Sequence, residues 1–166
     1  MSSSAEPYGA RPVGTLSANG SYSGKVRHYS IASGYATSIF YGDFVKLVAA
    51  GGVEKDTGTT SLTPVGIFLG CSYTDPNTNQ LTFNQMWTAS IAASDAVAYV
   101  IDDPDVIFEM QADGTGAQTV IGNNVAVVQT AGSTTIGTSK NAVDISTVDA
   151  TTATLPIRIV DISSKS

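Results

Sequence analysis

The chain has 166 residues and a formal net charge of −6, and only 13% of its residues are charged, about half the share usual in soluble proteins. That length fits one domain, or one domain with an ordered arm, and is enough to bury a sizeable core. Eight scattered Lys and Arg in an acidic chain give no electrostatic footprint for phosphates, which argues against a nucleic-acid partner, and a lone cysteine excludes an internal disulfide.

Ser, Thr, Asn, Gln and Gly supply the polarity that charge does not. Such a surface hydrogen-bonds well, is cheap to desolvate and suits a molecule packed against neighbours. The stretch from Met1 to Pro7 has neither a basic nor an apolar signal region. No apolar run approaches the about 18 residues of a membrane helix. The expectation is a soluble protein made in a reducing cytoplasm, with no membrane partner.

Taken in order, residues 1–24 carry few large apolar side chains, and Gly9, Pro12, Gly14, Gly20 and Gly24 interrupt them too often for a helix. They read as an extended arm ahead of a β domain spanning 25–166. The arm lies on its own domain, hangs free or docks on a partner, with Tyr8, Arg11, Pro12, Val13 and Leu16 as the contact residues if it docks. Val26–Ile31 reads as a first strand, Ser38–Phe40 as a short second piece, and Phe44–Val48 follows the Gly42-Asp43 turn. Gly51 through Ser61 reads as a Gly/Thr-rich loop. Val65–Tyr73 is a nearly continuous apolar run in which Gly66, Gly70 and the flanking Thr-Pro favour strand over helix. Cys71 lies inside it and reads as a small buried hydrophobe.

After a turn at Asp75-Pro76-Asn77, Leu81–Trp87 holds Phe83, Met86 and the only tryptophan. These three are either domain core or an interface, where aromatic residues and Met concentrate. Val97–Ile101 and Val106–Met110 flank Asp102-Asp103-Pro104-Asp105 and read as two strands reversing direction at the heart of a sheet. Val106, Phe108 and Met110 fall on one face of the second. Ala117–Ile121 is the one stretch that suits a helical turn. Val125–Gln129, Ile136, Lys140–Asp149 and Leu155–Ile162 supply the last β segments, with Pro156 demoting the start of the final one. Short strands between turn signals predict an all-β fold: a single compact β-barrel or β-sandwich with at most one or two helical turns.

Catalytic equipment is hard to find. His28, the only histidine, lies in a strand pattern, and Gly20 to Gly24 reads G-S-Y-S-G, with tyrosine where a nucleophile elbow needs serine. One Cys and one His cannot make a zinc set. Asp102, Asp103 and Asp105 could hold a calcium ion, but turn chemistry explains them better. Gly114-Thr115-Gly116 is half a dinucleotide fingerprint without its α/β context. The residues predict no enzyme, no metal and no cofactor.

Three stretches carry a resemblance: Tyr8-Gly9-Ala10-Arg11-Pro12-Val13, Tyr41-Gly42-Asp43-Phe44-Val45-Lys46-Leu47, and Asp102-Asp103-Pro104-Asp105-Val106-Ile107-Phe108-Glu109. With the closing Ala153 to Val160, they resemble virion structural or capsid decoration (cement) proteins of tailed bacteriophages, especially marine podoviruses. The resemblance implies a β protein made in the host cytoplasm that sits on the outer surface of the expanded head. There it would bind the major capsid protein where capsomers meet, beside neighbouring copies of itself. It brings no functional residues with it. The residues expected at that interface are Tyr8, Arg11, Pro12, Val13, Leu16, Phe83, Met86 and Trp87. Deleting residues 1–24 should then abolish head binding without changing the circular dichroism of the β domain. The rival expectation is a surface or tail-fibre module that binds carbohydrate, with Tyr22, Tyr29, Tyr35, Tyr41 and Trp87 as stacking platforms.

Overall fold

A computed structural model describes residues 6–17, 20–149 and 154–163. Residues 1–5 and 18–19 of the expected arm, and Ala153 of the closing stretch, lie outside them. The described chain is nearly all β, with one 3-10 turn at Gln118–Val120 inside the stretch expected to hold it. The strands are β1 (Arg11–Thr15), β2 (Arg27–Ser30), β3 (Phe44–Leu47), β4 (Val53–Lys55), β5 (Gly66–Thr74), β6 (Leu81–Asn84), β7 (Val97–Ile101), β8 (Val106–Glu109), β9 (Asn124–Val128), β10 (Ala142–Asp149) and β11 (Ile157–Arg158). They form three open antiparallel sheets, and no barrel closes among the described residues.

The largest sheet runs β2-β7-β5-β3-β4, with β6 also on β5. β5 is its spine. Ile67 pairs with both Phe44 and Ile101, and Ser72 with both Phe83 and Val97. One edge of β5 is therefore taken by β7, and the other is shared by β3 and β6. A register shift between Phe68 and Gly70 bends the spine where β3 and β6 part. Gly70 is required there because a Cβ would stand 2.9 Å from the Asn84 carbonyl oxygen.

Alternation along β3 and β5 builds two cores on opposite faces of this sheet. Val45, Phe68, Cys71 and Tyr73 point into the larger, which the chain around Ile39, Trp87 and Ala93 closes. Phe44 and Ile67 point into the smaller, with Ala10, Leu62 and Val127, and Phe108, Met110 and Ile157 pack against it. Of these, Phe108 comes from the two-stranded β1–β8 sheet, and Val127 and Ile157 from the three-stranded β10-β9-β11 sheet.

Several expectations need correction. β7 and β8 do not pair: the chain leaves the large sheet at Asp102 and begins a second sheet at Val106. The turn itself forms as expected, with Asp103 Oδ1 accepting the Asp105 backbone N–H at 2.9 Å. The Gly51–Ser61 loop contains β4. Ile136 is exposed and belongs to no strand. The last strand shortens to Ile157–Arg158. Of the alternatives left open for the 1–24 arm, residues 9–16 follow the first and lie on the domain. Gly9 N–H donates to Asn141, Ala10 N–H to Gly42 and Leu16 N–H to Asp105, while β1 pairs with β8.

Candidate functional site

The face of the large sheet that carries Phe44 and Ile67 is covered only at that end. Register places Tyr99 opposite His28 and Gly70, Ser72 opposite Val97 and Phe83, and Thr74 opposite Leu81. Residues directly opposite share a face, so this second half of the face carries His28, Tyr99, Phe83 and Leu81 around a buried Ser72. Phe83 is 69% exposed and Leu81 63%. The Tyr99 hydroxyl donates to Ser72 Oγ at 2.8 Å, and the His28 ring meets the Tyr99 ring edge-on with centroids 4.8 Å apart. These contacts fix the tyrosine on the sheet, beside the exposed Phe83.

Where β3 and β6 part, an open depression of about 460 Å³ lies among Tyr41, Leu69, Tyr99, Phe83, Asn84 and Gln85. A second, of about 420 Å³, continues past Gln85 to Ile136, whose carbonyl accepts the Gln85 amide at 3.4 Å. No carboxylate, lysine, arginine or histidine lines either. Among the described residues β6 pairs only with β5. From Pro76 through Ser94 the chain carries no charged residue. The usual devices that blunt a free sheet edge, lysine or an inward charge, are missing from this one.

No protein-family model, curated protein or solved structure matches the chain.

The eight residues expected at an interface divide. Tyr8 is half-buried; its hydroxyl donates to Glu109 Oε1 at 2.8 Å, and the Arg11 guanidinium lies 4.0 Å over its ring. Burial first, then the Glu109 bond and charge, push the Tyr8 phenol up to about 12. Pro12 is half-buried within β1, whereas Val13 and Leu16 project into solvent at 56% and 62% exposure. Phe83 is outward on β6. Met86 and Trp87 are corrected: both are buried, Trp87 completely. The Trp87 ring packs edge-on against Tyr73, and its indole N–H donates to the Tyr35 carbonyl at 3.2 Å. Of the rings expected as sugar platforms, Tyr29 and Tyr35 also pack on the larger core. Tyr29 donates to Asp102, which also binds Arg27 at 2.9 Å, so that carboxylate is occupied within the domain.

A buried polar cluster lies between the sheets, and no sequence pattern announces it. Asp43, completely buried, accepts Lys55 Nζ at 2.8 Å and the Phe40 N–H at 3.0 Å on one oxygen, and Asn141 Nδ2 at 3.2 Å on the other. Asn141 is equally buried, and its Oδ1 accepts the Thr130 N–H at 3.3 Å. The Phe40 ring centre is 5.5 Å from Lys55 Nζ. Asp56, next to Lys55, holds the following loop by accepting from Gly58 and Thr63. Asp43 and Asn141 are 98 positions apart, and nothing local connects a turn aspartate with a lysine and an asparagine so far along the chain.

Proposed function

We propose that this chain is a capsid decoration protein of a tailed bacteriophage, bound to the outside of the expanded head at capsomer junctions. The observation that carries the reading is the half-covered large sheet, whose uncharged edge strand presents Leu81 and Phe83 to solvent. Large apolar side chains gathered on a surface and an unpaired strand edge are features of association sites. A surface poor in charge adds to this, because contacts over it desolvate few ions. The major capsid protein and neighbouring copies of this chain are the partners, met by β6, by the exposed Val13 on β1 and by Leu16 just after it. Many identical sites on a shell turn a modest single contact into firm attachment. Binding only the expanded lattice would stabilise it by mass action.

Purified chain mixed with expanded heads lacking it should co-sediment to saturation and raise the temperature at which the heads open. Replacing both Leu81 and Phe83 with aspartate should weaken binding to the heads at least about tenfold, the effect of losing about 1.4 kcal/mol per site. Full occupancy by that variant, or equal binding to unexpanded precursor shells, would count against the reading.

A second reading has one observation in its favour. The depression beside Tyr41, Tyr99 and Phe83 combines rings with the amides of Asn84 and Gln85, a lining that suits a neutral sugar. Retention on immobilised glycans that Phe83→Ala abolishes, without any binding to heads, would select it.

A further inference from the structure

The Asp43–Lys55–Asn141 cluster holds an amine, a carboxamide and a carboxylate that touches both, with Asp43 and Asn141 fully buried and the Lys55 side chain 9% exposed. We propose that this protein forms an intramolecular isopeptide bond between Lys55 Nζ and Asn141 Cγ, with Asp43 moving the protons and ammonia as the leaving group.

Each role has a position. The amine must give up a proton before it can attack, and Asp43 Oδ2 stands 2.8 Å from it. The carboxamide nitrogen must gain a proton before it can leave, and Asp43 Oδ1 stands 3.2 Å from it. The carbonyl oxygen gathers negative charge as the tetrahedral centre forms, and the Thr130 N–H already donates to it at 3.3 Å. One carboxylate therefore brings nucleophile and electrophile to its two oxygens, converting a bimolecular encounter into an intramolecular one.

The step balances. Lys55 Nζ passes one proton to Asp43 and attacks Asn141 Cγ, forming the new C–N bond. Asp43 returns that proton to the side-chain nitrogen of Asn141. The old C–N bond breaks, and the second proton of the attacking nitrogen leaves by the same carboxylate. The products are a secondary amide and ammonia, with no oxidant or co-reactant. Complete burial of Asp43 and Asn141, with the Phe40 ring over the amine, keeps water from competing for the tetrahedral centre.

The bond would tie Lys55, at the end of an edge strand of the large sheet, to Asn141, immediately before β10 in the three-stranded sheet. It is independent of the capsid reading and of any partner.

The test is the intact mass of the whole purified chain, followed by digestion and sequencing of the fragments. The chain should weigh one ammonia less than its sequence and yield a branched peptide joining Lys55 to Asn141. Lys55→Arg and Asp43→Ala should each restore the full mass, and Asn141→Asp should lose one water in place of one ammonia. A wild-type chain of full mass overturns the proposal. So does ammonia loss without the branched peptide, or a branch from Lys55 to Asp43. The wild-type measurement decides without any variant, so a variant that fails to fold does not protect the proposal.

Discussion

Burial and the Glu109 carboxylate act on the Tyr8 phenol in the same direction, and Arg11 over the ring opposes them only weakly. The neutral phenol donates to Glu109 at 2.8 Å, whereas a phenolate there would face a carboxylate with no proton between them. The folded phenol titrates at about 12 against 10.0 for a free tyrosine. Its contribution to stability is therefore fully present below pH 10 and is lost as the pH climbs towards 12, because the unfolded chain releases the proton first. Chemical denaturation at steps of pH should show the wild-type protein losing stability more steeply across that window than Tyr8→Phe, which has no phenol to ionise. Equal slopes would mean that Tyr8 is not held by Glu109 in solution. Cys71 illustrates the same physics without a partner charge: burial alone pushes its thiol up to about 12. That agrees with the small buried hydrophobe its apolar neighbours in the sequence suggest.

At the scale of elements, β1 changes what an N-terminal deletion can test. From the sequence, removing residues 1–24 looks like trimming an arm. In the fold, Ala10 is part of the smaller core, and the Gly9, Ala10 and Leu16 amides bond to three different parts of the domain. Gly42 fits this seam because a Cβ there would press on the Tyr8 oxygen at 3.0 Å, and its φ is +90°. Three such hydrogen bonds at about 1 kcal/mol each, before any apolar burial, set a loss of about 3 kcal/mol for a chain beginning after Leu16. A chain beginning at Glu6 should melt with the full-length protein, whereas one beginning at Ser17 should melt at least several degrees lower; identical melting of all three would show that β1 does not pair. Strand positions were legible wherever β-branched and aromatic residues cluster between turns, as in β5, β7 and β9. β4 was not, because its Glu54 and Lys55 look like loop residues until Asp43 is seen to bury the lysine's charge. Phe83 and Trp87, four positions apart in one aromatic stretch, looked equally suited to core or interface. Only the hairpin register, which turns Phe83 outward while the chain beyond β6 turns Trp87 inward, tells them apart.

The whole molecule hangs on strands that serve two cores at once. Phe44 and Val45 are adjacent, as are Ile67 and Phe68, and in each pair one side chain enters each core. Loosening the smaller core therefore disturbs the backbone on which the larger one is built, and the buried Asp43 cluster couples β4 to the chain before β10 as well. Cooperative unfolding of both cores in one transition is the consequence. Trp87, the only tryptophan, reports on the larger core by fluorescence. The amides of Val125 to Val127 should exchange slowly and report on the three-stranded sheet, since all three residues are buried in β9. Both probes should give the same unfolding free energy. Phe44→Ala, which empties part of the smaller core, should lower both together by about 3–5 kcal/mol. If the variant loosens the β9 amides while Trp87 unfolds at its original denaturant concentration, the two cores are separate units, and the shared strands β3 and β5 do not couple them.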